Sequence, residues 1–564
     1  MAHHFEQRNA KEYLKTRMDN IRHHFMRGKY PTGFTAAFIL VLPNLAWIIL
    51  DKGVWRGDPV GYALNSMALY LQMITDLPVW KWNLFHGYKA PLIFWIGQFL
   101  IPMGSLIGSI NFSLLLIPFI AAFISLMLLF RSFDILFNSK AIALCGSLLT
   151  AASPLFIGLS TQFWIEPLQV ALTSWFIYIM IKVKSWNFYF ALSQFIIALS
   201  LAMLIKVSSP LYIIVPAIVF WMKVYRSFPT RQLNRKNLFF LLLSLLFFFP
   251  AGKFYFNNYR ALLDFAHYAG TSPLFGSDES KYYLWIKNIV NGIFLPFGFC
   301  LSAVLLLSGI IRTIKLRAYG NFDGIFLVAL LQISVFFIAW IKSSNVDPRY
   351  FLPALPYFTI LVCWGVAVVN SRMLAFLSAG IFLIQLAVVN GYAFGLIQFT
   401  PAYGMIRPVM MKPNSDMRLL QDIMPLATRD SSIIFDLNPE LGVAEFQYEL
   451  AKQKLYDNWQ SSSVDIGVFF NVNIQVLDTG KIDVETVWKN VLAYQPVFYI
   501  TWKSRLSPAL AKQEMQRIDK YNAATVPVRW AVARKIKDCG LYEVVPFASY
   551  PQLLVYKLCN VAPR

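Results

Sequence analysis

From Phe34 to about Phe399 the chain returns repeatedly to apolar stretches long enough to cross a bilayer, and beyond residue 400 they stop. No other feature limits the fold so strongly. A segment lying in hydrocarbon must satisfy its backbone polar groups within a helix or a closed barrel. These stretches are dominated by Leu, Ile and Phe rather than by short alternating strands, which selects helices. Composition agrees: 57% of the 564 residues are hydrophobic, 16% are aromatic and only 14% are charged, too apolar for a soluble enzyme. The sequence therefore reads as a polytopic α-helical membrane protein.

The formal net charge of +21 would suggest nucleic acid in a soluble protein. Here the basic residues sit between apolar spans, where they report topology and anionic headgroups, and nucleic acid is not an expected partner. Residues 1–33 carry Arg8, Lys11, Lys15, Arg17, Arg22, Arg27 and Lys29 with no small-residue cleavage site after Leu50, so they read as the cytoplasmic tail of a retained signal anchor. Expected spans are 34–50, 111–130, 141–160, 166–181, 187–205, 207–222, 238–256, 288–311, 323–341, 350–370 and 373–396, about eleven in all. Residues 91–106, interrupted by Pro102 and Gly104, are expected to lie in or dip into the outer leaflet. With that choice Arg131 and Lys140, Lys182 and Lys184, the basic loop 223–236, Arg312, Lys315, Arg317 and Arg372 all fall on the cytoplasmic side, as the positive-inside rule requires. The same choice collects Asp58, Lys89, Glu166, Lys206, the 257–287 loop, Arg349 and the C-terminal segment on the other face.

Three domains follow: the tail 1–33, a transmembrane module 34–399 whose first outer loop is 51–110, and an extracytoplasmic domain 400–564. In the last, short apolar strands (Ser432–Phe435, Val497–Thr501) alternate with helical segments (Glu440–Gln453, Pro508–Tyr521). Leu541–Val545 and Leu553–Leu558 flank a turn at Ser549-Tyr550-Pro551 and read as a hairpin, giving a small α/β domain. It has no glycine-rich nucleotide motif. Cys145, Cys300 and Cys363 lie within spans as apolar packers, and Cys539 and Cys559 could pair if their domain faces an oxidising compartment.

The charged residues that topology leaves over are candidates for chemistry. Asp58 and Glu166 each precede a proline, Pro59 and Pro167, so a helix N-cap is the plain explanation for both. Glu166, however, lies between two apolar spans with no other charge from Ala141 to Ile165, and a carboxylate at membrane depth is a functional candidate. Lys89 and Lys206 are either snorkelling lysines or phosphate ligands. Arg349 either pairs with Asp347 or offers a guanidinium to a phosphate. Together they describe a one-sided cleft of two carboxylates, several cations and aromatic walls. Such a cleft suits a lipid-phosphate donor, held by cations while a carboxylate takes the proton of an acceptor hydroxyl. Tyr62, His86, Tyr88, Tyr350 and Tyr282 are candidate substrate contacts, with Tyr282, Tyr283 and Trp285 in a candidate lid.

Four segments, in order, resemble the polyprenyl-phosphate-dependent glycosyltransferases of the GT-C superfamily, nearest in layout to protein O-mannosyltransferases and lipid A aminoarabinose transferases. They are Asp58 followed by Lys89-Ala90-Pro91-Leu92-Ile93-Phe94-Trp95; Ser153-Pro154-Leu155-Phe156 leading to Glu166; Leu204-Ile205-Lys206; and Arg349-Tyr350-Phe351-Leu352-Pro353-Ala354-Leu355-Pro356. Two departures stand out: Pro59 follows Asp58 where many relatives carry a second carboxylate, and Ala90 replaces a proline. The resemblance implies a GT-C-like fold in a bacterial inner membrane or its equivalent. It implies a polyprenyl-phosphate-linked sugar donor, a lipid, glycan or protein acceptor, and inverting transfer with Asp58 as base. Lys89, Lys206 and Arg349 would bind the donor phosphate, and Glu166 would orient a substrate or help hold a divalent metal. A metal is not required by this reading, since His86 and His267 are isolated and no His-carboxylate cluster has ligand spacing. The alternative is a transporter or lipid flippase, which would show charged or broken helices near the bilayer midplane and often an inverted repeat.

Overall fold

Proline and glycine cut the apolar sequence into helices of unequal length. The computed structural model describes residues 31–87, 89–183, 185–186, 188–225, 235–271, 280–315, 324–341, 343, 347–369, 372–398, 405–413, 415–423, 432–436, 443–456, 465–467, 484–494, 498–503, 530–545 and 553–559. The basic tail 1–30, Tyr88, Lys184, Arg226, Arg231, Arg317, part of the candidate lid, the Pro508–Tyr521 segment and the turn at Ser549-Tyr550-Pro551 lie outside the described residues.

In chain order the helices are α1 (Pro31–Leu50), α2 (Asp58–Thr75), α3 (Leu77–Asn83), α4 (Leu92–Leu106), α5 (Ile110–Phe137), α6 (Lys140–Ala151), α7 (Pro154–Ser160), α8 (Glu166–Lys182), α9 (Phe188–Ile205), α10 (Ile214–Tyr225) and α11 (Arg235–Thr271). They continue as α12 (Lys281–Lys287), α13 (Pro296–Lys315), α14 (Gly324–Trp340), α15 (Leu355–Val369), α16 (Arg372–Ala393), α17 (Ser415–Ile423), α18 (Val443–Tyr456) and α19 (Val484–Tyr494). Among the described residues seven segments are long and apolar enough to cross a membrane: Gly33–Leu50, Ile110–Phe137, Phe188–Ile205, Leu238–His267, Pro296–Lys315, Pro348–Val369 and Met373–Ala393. The pair α6 and α7 would make an eighth. The expected spans at 166–181, 207–222 and 323–341 correspond to the shorter helices α8, α10 and α14.

Several boundaries differ from expectation for local reasons. The expected span 141–160 bends by 63° between α6 and α7, because Pro154 has no amide to donate and disfavours helix in the residue before it. The expected span 288–311 starts at Pro296 instead. Residues Asn288–Phe294 form a π-helix, and Leu295 takes φ 58 just before that proline. The expected span 238–256 runs on to Thr271, so the first part of the expected 257–287 loop is helix. Helix α4 continues through Pro102 and Gly104, then stops at Gly108 with φ 69. At Gly104 an added Cβ would lie 2.7 Å from Ile110 Cα, so this glycine lets α4 and α5 touch.

The C-terminal segment contains one five-stranded sheet: β1 (Ser432–Asp436), β2 (Asp465–Gly467), β3 (Phe498–Trp502), β4 (Tyr542–Val545) and β5 (Leu553–Leu558), ordered β2-β1-β3-β5-β4. β1 is parallel to β2 and β3, whereas β5 is antiparallel to β3 and β4, the latter in the register Tyr542↔Leu558. The expected strands and closing hairpin are therefore present. Val491, Tyr499, Ile536 and Tyr556 form the core of this unit. Cys539 and Cys559 are free in the structure.

The C-terminal segment is tied to the membrane module at the exit of α1. Arg407 pairs with Asp51 and donates from Nη1 to Val54 O at 3.0 Å, and Gln162 Nε2 donates to Met405 O at 2.7 Å. Farther along, Tyr448 of α18 stacks on Trp55 with centroids 5.4 Å apart. This seam fixes the stretch leading into α2, where the site begins.

Candidate functional site

Helix α2 is preceded by Gly57, its N-cap, whose φ of 65 and ψ of −139 favour a residue without Cβ. The Gly57 amide donates to Glu445 Oε1 at 3.1 Å, so α18 closes a helix end that Asp58 could have capped. The Asp58 side chain makes no capping bond. Lys89 Nζ lies 3.2 Å from its Oδ1 and Arg349 Nη1 lies 2.5 Å from its Oδ2. Burial pushes this carboxyl up, but the Arg349 and Lys89 charges outweigh it and hold the pKa at about 2 rather than the usual 3.8. The same environment raises the Tyr62 phenol, first through burial and then through the Asp58 and Glu166 carboxylates.

Arg349 enters from a 3-10 turn, Pro348–Ala354, that opens the helix pair ending at Val369. Asp347 caps this turn by accepting from the Arg349 amide at 3.0 Å, and its Oδ2 sits 3.0 Å from Arg349 Nε. The guanidinium therefore bridges Asp347 and Asp58: the ion pair expected from sequence is present without occupying the whole group. Its Cζ lies over the Trp164 ring at 4.8 Å and the Tyr350 ring at 5.4 Å, within cation–π range of both.

A second pair stands beside the first. Glu166 begins α8 without capping it and is fully buried. Its Oε1 accepts from Lys206 Nζ at 2.6 Å, while Oε2 is buried with no hydrogen-bond partner among the described residues. Lys206 Nζ also lies 4.4 Å over the Tyr350 ring. Tyr350 thus stands between the two clusters, and its carbonyl accepts from Tyr212 Oη at 2.8 Å. Tyr62 contributes from α2, its ring 5.1 Å from Lys89 Nζ and edge-on to Trp164 at 6.5 Å.

The fold brings Asp58, Lys89, Glu166, Lys206, Arg349, Tyr62 and Tyr350 to one place, although the Arg349–Asp58 contact spans 291 positions of sequence. His86 points elsewhere: it stacks on Trp82 at 3.6 Å with Nδ1 2.6 Å from Trp82 O. Tyr282 is exposed and packs edge-on to Trp285. Trp164 and Asn258 were missed by sequence reasoning. Trp164, two residues before Glu166, was legible as an aromatic beside a membrane-depth charge. Asn258, which anchors the Lys89 loop, carries no sequence signal. No three His, Cys, Asp or Glu side chains gather among the described residues as a metal site would require, so no chemical step is assigned to a metal.

By fold and by sequence match the chain is similar to membrane glycosyltransferases of the GT-C type. Residues 88–254, which include Lys89, Glu166 and Lys206, match the family model described as dolichyl-phosphate-mannose-protein mannosyltransferase. Among solved structures, the crystal structure of ArnT from Cupriavidus metallidurans bound to undecaprenyl phosphate superposes with a TM-score of 0.52 at 13% identity, covering 94% of this chain and 97% of that one. At that identity the likeness is one of fold. No curated protein matches the chain by sequence.

Proposed function

We propose that this chain is an integral-membrane glycosyltransferase that moves a sugar from a polyprenyl-phosphate donor to an acceptor hydroxyl, on the extracytoplasmic side and with inversion. The observation that carries the reading is the meeting of Asp58, Lys89 and Arg349, from three distant segments, beside the buried Glu166–Lys206 pair. The family match and the ArnT likeness, in a structure holding undecaprenyl phosphate, support the donor class.

The chemistry follows from the charges. Lys89, Arg349 and Lys206 would take the donor phosphate, whose oxygens bear the charge that grows as the sugar leaves. The acceptor oxygen attacks the anomeric carbon, the bond from that carbon to the phosphate oxygen breaks, and the hydroxyl proton passes to Asp58. With two cations on it and a pKa of about 2, Asp58 is a weak base, since efficient bases titrate near the working pH. A bound phosphate would share those cations and raise the carboxylate's proton affinity, so the donor itself would activate the base. Glu166 would keep Lys206 in place and so orient the substrate that this lysine holds. In the same reading, 34–399 is the catalytic module and 400–564 an extracytoplasmic domain.

Mass spectrometry of lipid co-purifying with the protein tests the donor class. A polyprenyl phosphate, with or without sugar, is the expected finding. Steady transport of a solute by reconstituted protein with no consumption of lipid-linked sugar would overturn the enzyme reading.

A further inference from the structure

The long helix α11 is apolar and little buried from Leu238 to His267, yet one stripe of it faces both lysine-bearing turns. Ala251, Phe254 and Leu262 are buried on this stripe against Leu204, with Phe85, Leu92, Trp95, Met203 and Val207 packed around them. The spacing of 251, 254, 255, 258 and 262 is that of one helix face, and Phe256, off this face, is 84% exposed. Two polar groups on the stripe reach the backbone of the two turns. Asn258, 6% exposed, accepts from the Gly87 amide through Oδ1 at 2.9 Å and donates through Nδ2 to Phe85 O at 2.6 Å and to Phe254 O at 2.7 Å. Tyr255 Oη donates to Met203 O at 3.0 Å.

We propose that Asn258 and Tyr255 are positioning residues that set the two lysines for a donor phosphate: Asn258 through the loop of Lys89, Tyr255 through the turn of Lys206. The proposal rests on the polyprenyl-phosphate reading above. Gly87 takes φ 152, a conformation rarely adopted by other residues, two positions before Lys89. Glycine has many alternatives to this conformation, and a tertiary hydrogen bond at its amide favours it over them. Asn258 supplies that bond and, by pairing Phe85 O on the same loop, fixes both sides of the bend. Lys253 adds a contact, its Nζ 4.3 Å over the Phe85 ring. Met203 lies three residues before Lys206, so the Tyr255 bond fixes the last turn of α9 from which that lysine projects. Neither Asn258 nor Tyr255 touches the charged cluster, so each acts through the backbone that carries a cation.

The test uses the purified full chain and a sugar-free polyprenyl phosphate as probe, with donor KM and kcat measured in parallel. Asn258→Ala is expected to weaken lipid binding and raise donor KM together by about tenfold. Tyr255→Phe, which removes one hydroxyl, should do the same by about threefold. In both, kcat at saturating donor should stay near the parent value; the melting temperature should hold in Tyr255→Phe and fall in Asn258→Ala, which leaves the Gly87 amide and Phe85 O without their partner. Unchanged affinity in both variants overturns the proposal, as does a fall in kcat with KM unmoved. If Asn258→Ala does not fold, Tyr255→Phe still decides the matter. A parent protein that does not bind the lipid refutes the donor reading and this proposal with it, an outcome distinct from normal parental binding that the variants leave intact.

Discussion

Asp58 shares its two oxygens between an ammonium and a guanidinium, and at this scale the sign of its pKa shift decides the pH behaviour. A carboxyl held at about 2 contributes stability that is in full force above its ordinary value of 3.8 and is lost as pH falls through about 2. In catalysis, kcat/KM reports the free enzyme and kcat the loaded one. The acid limb of kcat should therefore lie at higher pH than that of kcat/KM, because bound phosphate draws Arg349 and Lys89 from Asp58; coincident limbs would count against that sharing. Asp58→Asn should lower kcat by about 10²–10⁴-fold with expression and folding intact and a melting temperature lowered by the loss of the two ion pairs, and full activity in that variant refutes its role as base. Glu166→Gln leaves Lys206 with its charge but no buried anion. Because Lys206 is partly exposed and glutamine can still accept its hydrogen bond, stability should fall by about 1–3 kcal/mol, measurable as an earlier thermal transition in detergent. The pair was invisible in sequence as a pair, because Glu166 begins one helix and Lys206 follows the end of another, 40 positions apart.

At the scale of elements, small residues set how closely helices approach. Gly309 of α13 and Gly365 of α15 face each other, and a Cβ at Gly365 would meet Leu305 O at 2.5 Å. Backbone cannot yield as a flexible side chain can, so Gly365→Ala should cost about 1–3 kcal/mol, read as a lowered melting temperature with donor KM unchanged if the site is not displaced. Helix α18 has the opposite task. It reaches from the C-terminal segment to close the start of α2 through Glu445 and to stack Tyr448 on Trp55. Tyr448→Ala should therefore weaken the seam and reduce kcat. A loss of stability with kcat unchanged would restrict α18 to a structural part. Asp58-Pro59 and Glu166-Pro167 show why helix starts alone were ambiguous. Both pairs start helices, yet both side chains turn away from the helix amides toward cations supplied by other segments.

For the whole molecule, the apolar stretches, the basic residues between them and the alternating strands near the C-terminus were legible because each depends on neighbours in sequence. Hydropathy and charge fix what can lie in lipid, and helical and strand periodicities fix local form. The candidate cations and carboxylates were legible too, since a charge beside an apolar span has few roles. Where Pro154 bends one expected span, where Pro296 starts another, and how far α11 extends were less so, because proline and glycine act within packing that sequence does not show. What only the tertiary structure decided is which charges pair. Asp58 with Arg349, Glu166 with Lys206 and Asp51 with Arg407 are all long-range contacts. Coulombic attraction between such groups depends on distance and on the surrounding dielectric, and the packing of the helices sets both.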